Sequence, residues 1–390
     1  MRQPRKSFAG HGLTRRQFLT TAGLAVVSLG ASPLLQGCRP SPKPTPVPPT
    51  GTPAPKIGGA IQYLSWEGYD LRGCMEPWEK DHAVTMESSY IGDHPEIPAK
   101  LAAAPAGQYD LITYYHGYWK LYRDELKIIS SLDKDRLPNF EDLYPFFKGN
   151  HWVDASGTIW GVPFTFGVLG GNYNADKMKA PESWRDLLKP EFKDRFAIVD
   201  DNNAGILTGG KILGYGDKLP NLTKGELNKI MELWLEFKAN ARTIAIYGDL
   251  TDLFVSGEIV ASIPGWAAVN TWAQARGTNV QMYVPQEGAS SFIDAFAVPQ
   301  GCDNRDTVLA WINESLGPEM QACQAKALAA GVVNPKAVPL TEASIAAMYD
   351  YKNLEKIFEI APVFDMAPRE STEYAIYDDW VAAWEELKAA

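Results

Sequence analysis

Two short stretches of this chain approach a catalytic or ion-binding motif, and each lacks the residue its chemistry depends on. Gly205-Ile-Leu-Thr-Gly-Gly210-Lys211 follows most of the phosphate-loop pattern. The pattern needs Ser or Thr after the lysine to meet Mg²⁺, and Ile212 stands there. Lys211-Ile212-Leu213 reads instead as the end of an amphipathic helix. Asp200-Asp201-Asn202-Asn203 hints at a calcium loop, but Ala204 holds its fifth position and Lys211 its twelfth. No H-E-x-x-H or G-x-S-x-G run occurs. His82, His94, His116 and His151 lack metal-ligand spacing, and His11 falls in the N-terminal segment. The expectation is a chain that is not an enzyme, with no cofactor and no metal. One carboxylate does stand out. Asp294 lies between Ile293 and Phe296-Ala297-Val298, where an unpaired charge is costly to bury.

The N-terminus carries an address. Residues 1–38 hold five basic residues and no acid. Thr14-Arg15-Arg16-Gln17-Phe18-Leu19 matches the twin-arginine export pattern, which routes an already folded substrate. An apolar stretch over 22–35 follows, too short for a ~20-residue membrane span. Leu35-Gln36-Gly37-Cys38 resembles a lipobox, so Cys38 is expected to be lipidated, and Gln36 is its unusual member. Residues 39–57 are Pro-rich, with eight prolines between Pro40 and Pro55, and read as an extended tether. The body is thus expected to be exported, periplasmic or on the outer face of the cytoplasmic membrane, and held there by lipid alone.

The elements that position any site come next in the body. Residues 60–65, 84–90, 109–113 and 196–200 read as strands, with helical stretches over 71–80 and 98–104. Strands alternating with helices indicate α/β units with mostly parallel sheets. Residues 151–174 differ, reading as a hairpin at Ala155-Ser156-Gly157 followed by extended chain. Residues 223–241 form the clearest helix. Thr223 and Glu226 make a capping box, and Leu227, Ile230, Met231, Trp234 and Phe237 make an apolar stripe. Residues 372–388 are also helical, with Trp380, Trp384 and Leu387 on one face.

Length and charge bound the function. A chain of 390 residues suggests two domains. The net charge of −10 becomes −15 beyond Cys38, which argues against nucleic acid and mildly favours cationic or neutral ligands. Four cysteines are too few for a disulfide scaffold. At most one bridge can form among Cys74, Cys302 and Cys323, and buried free thiols are the expected state.

Five stretches, in order over about residues 60–335, carry a resemblance. They are Ser65-Trp66-Glu67-Gly68-Tyr69; Tyr109-Asp110-Leu111-Ile112 with Thr113-Tyr114-Tyr115; and Pro181-Glu182-Ser183-Trp184 through Asp200-Asp201. Then come Phe254-Val-Ser-Gly257-Glu258 through Gly265-Trp266, and Val284-Pro285 through Phe292-Ile293-Asp294 and Pro299. Together they resemble the ABC-transporter solute-binding proteins of the spermidine/putrescine branch. The resemblance implies an α/β, two-lobed periplasmic-binding-protein fold, with the ligand cleft between lobes joined by crossing strands. Lobe one would comprise 58–164 and 294–341, and lobe two 165–293 and 342–390.

The resemblance also implies a site. Trp66 and Tyr69 fall on the first-strand turn, with Glu67 beside them. Asp201 matches an acidic residue of lobe two, Trp266 and Phe292 match aromatic walls, and Asp294 matches the carboxylate that pairs with an amine. Tyr115 joins by position. Aromatic faces attract ammonium groups at ~0.5–2 kcal/mol each, and carboxylates bind the charged ends. Three departures stand out: Ala204 and Gly68 replace acids, and Val332 or Val333 replaces a tyrosine. Fewer carboxylates suit a less cationic ligand, such as a monoamine or an amine bearing its own acid group. Asp201 also fits a plain helix N-cap.

The expected function is a lipid-anchored, monomeric receptor that captures a cationic amine and delivers it to an ABC permease. The same fold also suits a sugar or ferric iron. Iron would want clustered tyrosines, for which Tyr114, Tyr115 and Tyr173 are the candidates. An exported enzyme or a sensor module fits less well, lacking a catalytic constellation or a second span.

Overall fold

The computed structural model describes residues 56–91, 96–149 and 151–390. The signal over 1–38, Cys38, nearly all of the 39–57 tether, and His94 lie outside the described residues.

β1 (Gly59–Ser65) buries Ile61, Tyr63 and Leu64. α1 (Arg72–Asp81), β2 (Val84–Tyr90), α2 (Glu96–Ala103) and β3 (Leu111–Tyr115) follow in βα alternation. β1 pairs in parallel with both β2 and β3. β3 begins two residues later than the sequence suggests. Asp110 instead ties its start to β1, its carboxylate accepting the Gln62 N–H at 2.9 Å. The expected hairpin at 155–157 forms as a bridge between Val153 and Ile159, closed by Asp154 Oδ1 accepting the Ser156 and Thr158 N–H groups.

β4 (Val162–Leu169) and β5 (Gly171–Asn174) come next, then β6 (Phe196–Val199), α3 (Asn202–Ile212), α4 (Lys224–Asn240) and β7 (Thr243–Ala245). α5 (Tyr247–Ser256), β8 (Ala261–Ile263), α6 (Ala267–Ala275), β9 (Val280–Tyr283) and β10 (Ser290–Ala297) complete the strands. α7 (Arg305–Ser315), α8 (Pro318–Leu328), α9 (Ala343–Ala346), α10 (Leu354–Ile360) and α11 (Tyr377–Ala389) end the chain.

The strands form two sheets of the same design. One runs β2-β1-β3-β10-β4 and the other β7-β6-β8-β5-β9. Each has four strands running in one direction and one running against them, β10 in the first sheet and β5 in the second. The chain passes between sheets at Gly170, which alone separates β4 from β5. A Cβ on Gly170 would collide with the Tyr283 carbonyl at the end of β9. The chain returns between β9 and β10. A third pass runs beside β10, where the Ser291 N–H donates to the Pro362 carbonyl at 3.0 Å. Further on, the Ala375 N–H donates to the Leu222 carbonyl at 2.7 Å. β4 and β10 stay paired as far as Leu169 and Ser290, beyond positions 164/165 and 293/294.

Packing follows the aromatic content. Phe164 stacks on Phe296 with centroids 3.9 Å apart, and Trp311 meets Phe296 edge-on at 5.3 Å. Such pairs add ~0.5–1.5 kcal/mol beyond area burial. α4 keeps its capping box and buries Leu227, Ile230, Trp234 and Phe237. Trp384 of α11 meets Trp234 at 5.5 Å, and Trp380 and Leu387 are buried with it. α11 starts at Tyr377 rather than 372, because Ser371 Oγ accepts the Glu373 and Tyr374 N–H groups and holds a turn there. Lys211 lies in the last turn of α3.

The expectation of free thiols needs correction. Cys74 of α1 and Cys323 of α8 form a disulfide with Cα atoms 5.8 Å apart. The two helices come from opposite ends of the body, 249 residues apart, so sequence spacing hid their contact. Cys302 alone stays free among the described residues, half-buried beside Asp110.

Candidate functional site

The site gathers on the face of β10 that carries Phe292 and Asp294. Successive strand residues alternate faces, so these two share one. Asp294 is buried and directly opposed by Tyr115 on β3 and Thr165 on β4. A register shift follows Asp294 in its pairing with β4. Bulges of this kind re-aim side chains beside sites. His116 fixes the neighbouring backbone. Its Nδ1 accepts the Ile293 N–H at 3.2 Å, and its Nε2 donates to the Phe364 carbonyl at 2.9 Å. Those partners assign the neutral tautomer. Burial pushes the His116 pKa down to about 3, which agrees.

The turn after β1 brings in Tyr69. Its N–H donates to the Trp66 carbonyl at 3.2 Å, and Gly68 adopts a left-handed φ of 89°. The Tyr69 phenol donates to Asp294 Oδ2 at 2.6 Å, with its ring edge-on to Phe164 at 5.2 Å. Asp294 Oδ1 takes no hydrogen bond, and no basic side chain pairs with Asp294, among the described residues. Burial therefore pushes its pKa up to about 7, although the Tyr69 bond opposes the shift.

The second sheet supplies the opposite wall. Asp201 caps α3, its Oδ1 accepting the Ala204 N–H at 2.9 Å, while Tyr247 donates to Oδ2 at 3.4 Å. Asp201 thus serves as the helix N-cap that the sequence allowed. Asn203 Nδ2 donates to the Tyr115 hydroxyl at 3.3 Å, linking α3 to β3. Burial, then the charge of Asp201, raises the Tyr115 pKa far above its ordinary value. Trp266 sits at the start of α6, and Asn172 bonds both its N–H and its carbonyl. Its ring meets Tyr247 at 5.8 Å and Phe292 at 6.3 Å, both edge-on. The Phe292 ring lies where any Cβ on Gly167 would stand.

The structure therefore joins Tyr69, Tyr115, Asp201, Trp266, Phe292 and Asp294 through direct or one-residue contacts. Glu67 is exposed and makes no hydrogen bond or ion pair with them. Trp66 is half-buried and packs against the main hydrophobic core. Sequence reasoning missed Thr165, Asn203 and Tyr247. Asn203 carried a signal, two residues past Asp201. Thr165 and Tyr247 carried none, because only strand register and the α5 docking place them here. The tyrosines considered for iron do not cluster: Tyr114 packs on Tyr122 and Trp152, while Tyr173 bonds Gln281. Among the described residues no group of three or more His, Cys, Asp or Glu could hold a metal. The arrangement offers a buried carboxylate without a basic partner among the described residues, set among aromatic rings and hydroxyls, groups able to hold an organic cation.

Comparison with known proteins places the chain in a family. The family model described as bacterial extracellular solute-binding protein matches residues 74–353. The putrescine-binding periplasmic protein PotF of Escherichia coli K12 is 26% identical over 302 residues, covering 73% of this chain and 80% of the relative. A spermidine/putrescine-binding periplasmic protein of Salmonella typhimurium is 26% identical over 264 residues, covering 67% and 73%. The TpPotD lipoprotein of Treponema pallidum superposes with a TM-score of 0.72 at 18% identity, over 85% of this chain and all of that one. The fold is the α/β, two-lobed one of these proteins.

Proposed function

The chain belongs to the bacterial extracellular solute-binding proteins, and from that premise we propose that it captures a polyamine or related organic cation and delivers it to an ABC permease. One observation carries the ligand class. Asp294 is buried, bonded by Tyr69 and without a basic partner among the described residues. A buried carboxylate is costly unless a counter-charge arrives, and an ammonium group supplies it. Phe292, Trp266 and Tyr247 line the same space and suit the methylene chain and the cation's faces. Trp66, Tyr115 and Asp201 complete the proposed contacts, and exposed Glu67 takes an outer one. Arg15-Arg16 and Cys38 support export and a lipid anchor, with the receptor acting as a monomer. No helix among the described residues is long and apolar enough to cross a membrane.

A second reading, an amine that carries its own acid group, has one observation in its favour: the buried Nε1–H of Trp266 has no acceptor among the described residues. Calorimetry of the chain with putrescine, spermidine, simple amines, amino acids, sugars and oxyanions separates the readings. One-to-one binding of an amine without turnover is expected. Ligand at ~100 times Kd should add ~2.7 kcal/mol of apparent stability. Silence from every amine beside a clear signal from a sugar or an oxyanion overturns the proposal.

A further inference from the structure

Thr165 carries a hydroxyl that the fold does not use. It lies on β4 directly across from Asp294, is fully buried, and its Oγ1 has no hydrogen-bond partner among the described residues. A buried hydroxyl without a partner destabilises the protein, and such groups ask for an explanation. Strand geometry does not supply one. Valine has the same branched shape, suits a strand equally and leaves nothing unpaired. The hydroxyl therefore waits for something the chain itself does not provide.

Its neighbours say what that is. Thr165, Asp294 and Tyr115 form one row across β4, β10 and β3, on one face of the sheet. Among the described residues Asp294 Oδ1 accepts no hydrogen bond and no basic side chain pairs with Asp294. At the far end of the row, Asn203 uses its Nδ2 on Tyr115, and its buried Oδ1 has no partner among the described residues. Three acceptor atoms on or beside this row thus lack donors among the described residues: Thr165 Oγ1, Asp294 Oδ1 and Asn203 Oδ1. A primary ammonium group carries three N–H donors.

We propose that Thr165 is a specificity-determining residue, its Oγ1 accepting one N–H of the ligand's ammonium group beside Asp294 Oδ1, so that the site selects a nitrogen with three N–H bonds over a methylated one. The inference rests on the amine reading of the site.

The test crosses one substitution with one pair of ligands. Putrescine presents three N–H bonds at each end, and N,N,N′,N′-tetramethylputrescine one. Kd is measured for both, on the full chain and on Thr165→Val and Thr165→Ser. Thr165→Val should weaken putrescine roughly tenfold or more, the scale of a hydrogen bond to a charged group, and leave the tetramethyl compound nearly unchanged. Thr165→Ser should restore most of the putrescine affinity. The ligand-free unfolding midpoint of Thr165→Val should hold or rise, since a buried unpaired hydroxyl is removed. Equal losses on both ligands, or none on either, overturn the role of Thr165 while leaving the amine reading intact. Should the wild-type chain bind another amine of the calorimetry panel in place of putrescine, the same cross is run on that amine and its N-methylated form. A wild-type chain that binds no amine of the panel overturns the amine reading itself, and the role of Thr165 with it.

Discussion

The Tyr69 phenol donates a 2.6 Å hydrogen bond to Asp294, joining the turn after the first strand to a strand 225 residues later. Burial and the neighbouring carboxylate hold the Tyr69 pKa well above its ordinary value, so it remains a donor at any physiological pH. The bond thus fixes Oδ2 and leaves Oδ1 as the open face of the carboxylate. A bound ammonium meets a pre-oriented acceptor and loses less freedom in binding it.

Asp294→Asn should weaken amine binding by roughly thirtyfold or more, because removing one partner of a buried charge pair costs ~2–5 kcal/mol. The ligand-free fold should survive, since an amide oxygen can still accept from Tyr69. Calorimetry and the ligand-free unfolding midpoint check this. Unchanged affinity would remove Asp294 from the site, and a collapsed midpoint would assign it to the fold.

The raised pKa of Asp294 sets a pH dependence. In the unfolded chain the carboxyl loses its proton near its ordinary value of ~3.9. In the fold it keeps the proton up to about pH 7. Between those values the folded state binds more protons, so this group's contribution to stability falls as pH rises through the window. Ligand-free Asp294→Asn should therefore gain on the wild type between pH 5 and pH 8, measured by paired melting curves. Amine binding runs the other way. It needs the carboxylate, so affinity should rise with pH and level off above about pH 7. A flat binding profile from pH 5 to pH 8 would contradict the assignment.

Much of this was readable from the residues, and what was not has physical causes. Asp294 showed itself as a lone acid in an apolar strand, whereas Trp266 and Phe292 entered only through the resemblance to the solute-binding family. Helix boundaries such as that of α4 followed from its capping box. Thr165 was invisible because its role depends on register between β4 and β10, strands more than a hundred residues apart. The α1–α8 contact was invisible for the same reason. Glu67 sits beside Tyr69 in sequence, yet the turn leaves one exposed and the other buried.

The disulfide makes its own prediction. In a chain starting after Cys38, thiol titration under denaturing conditions should find one free thiol before reduction, that of Cys302, and three after. Removing the bridge with Cys74→Ser and Cys323→Ser together should cost about 2–4 kcal/mol of stability through the freed loop, seen as a lower unfolding midpoint. Three free thiols before reduction would show that the bridge does not form.

Cys38→Ala should release the protein from the membrane fraction. Two or more acyl chains at ~0.8 kcal/mol per buried CH₂ anchor stably, and the described body offers no spanning helix to replace them. Fractionation of cells carrying the parent and the variant decides it. Equal membrane retention of both would mean that Cys38 is not the anchor.

Phe292→Ala and Asp294→Asn should weaken binding by different physics. The Phe292 ring contributes contact area and an attraction for cations of ~0.5–2 kcal/mol, a short-range term that salt hardly screens. Its edge-on contact with Trp266 also means that truncation loosens the second wall. Asp294 contributes a full charge, whose pull on an approaching cation falls as ionic strength rises. Kd for putrescine measured from low to high salt should therefore give parallel lines for the wild type and Phe292→Ala, offset by roughly three- to thirtyfold. Asp294→Asn should give a flatter line, since one favourable charge is gone. If Phe292→Ala instead flattens the salt dependence while Asp294→Asn preserves it, the carboxylate is not where the cation binds, and the aromatic wall and the acid have exchanged the roles assigned to them.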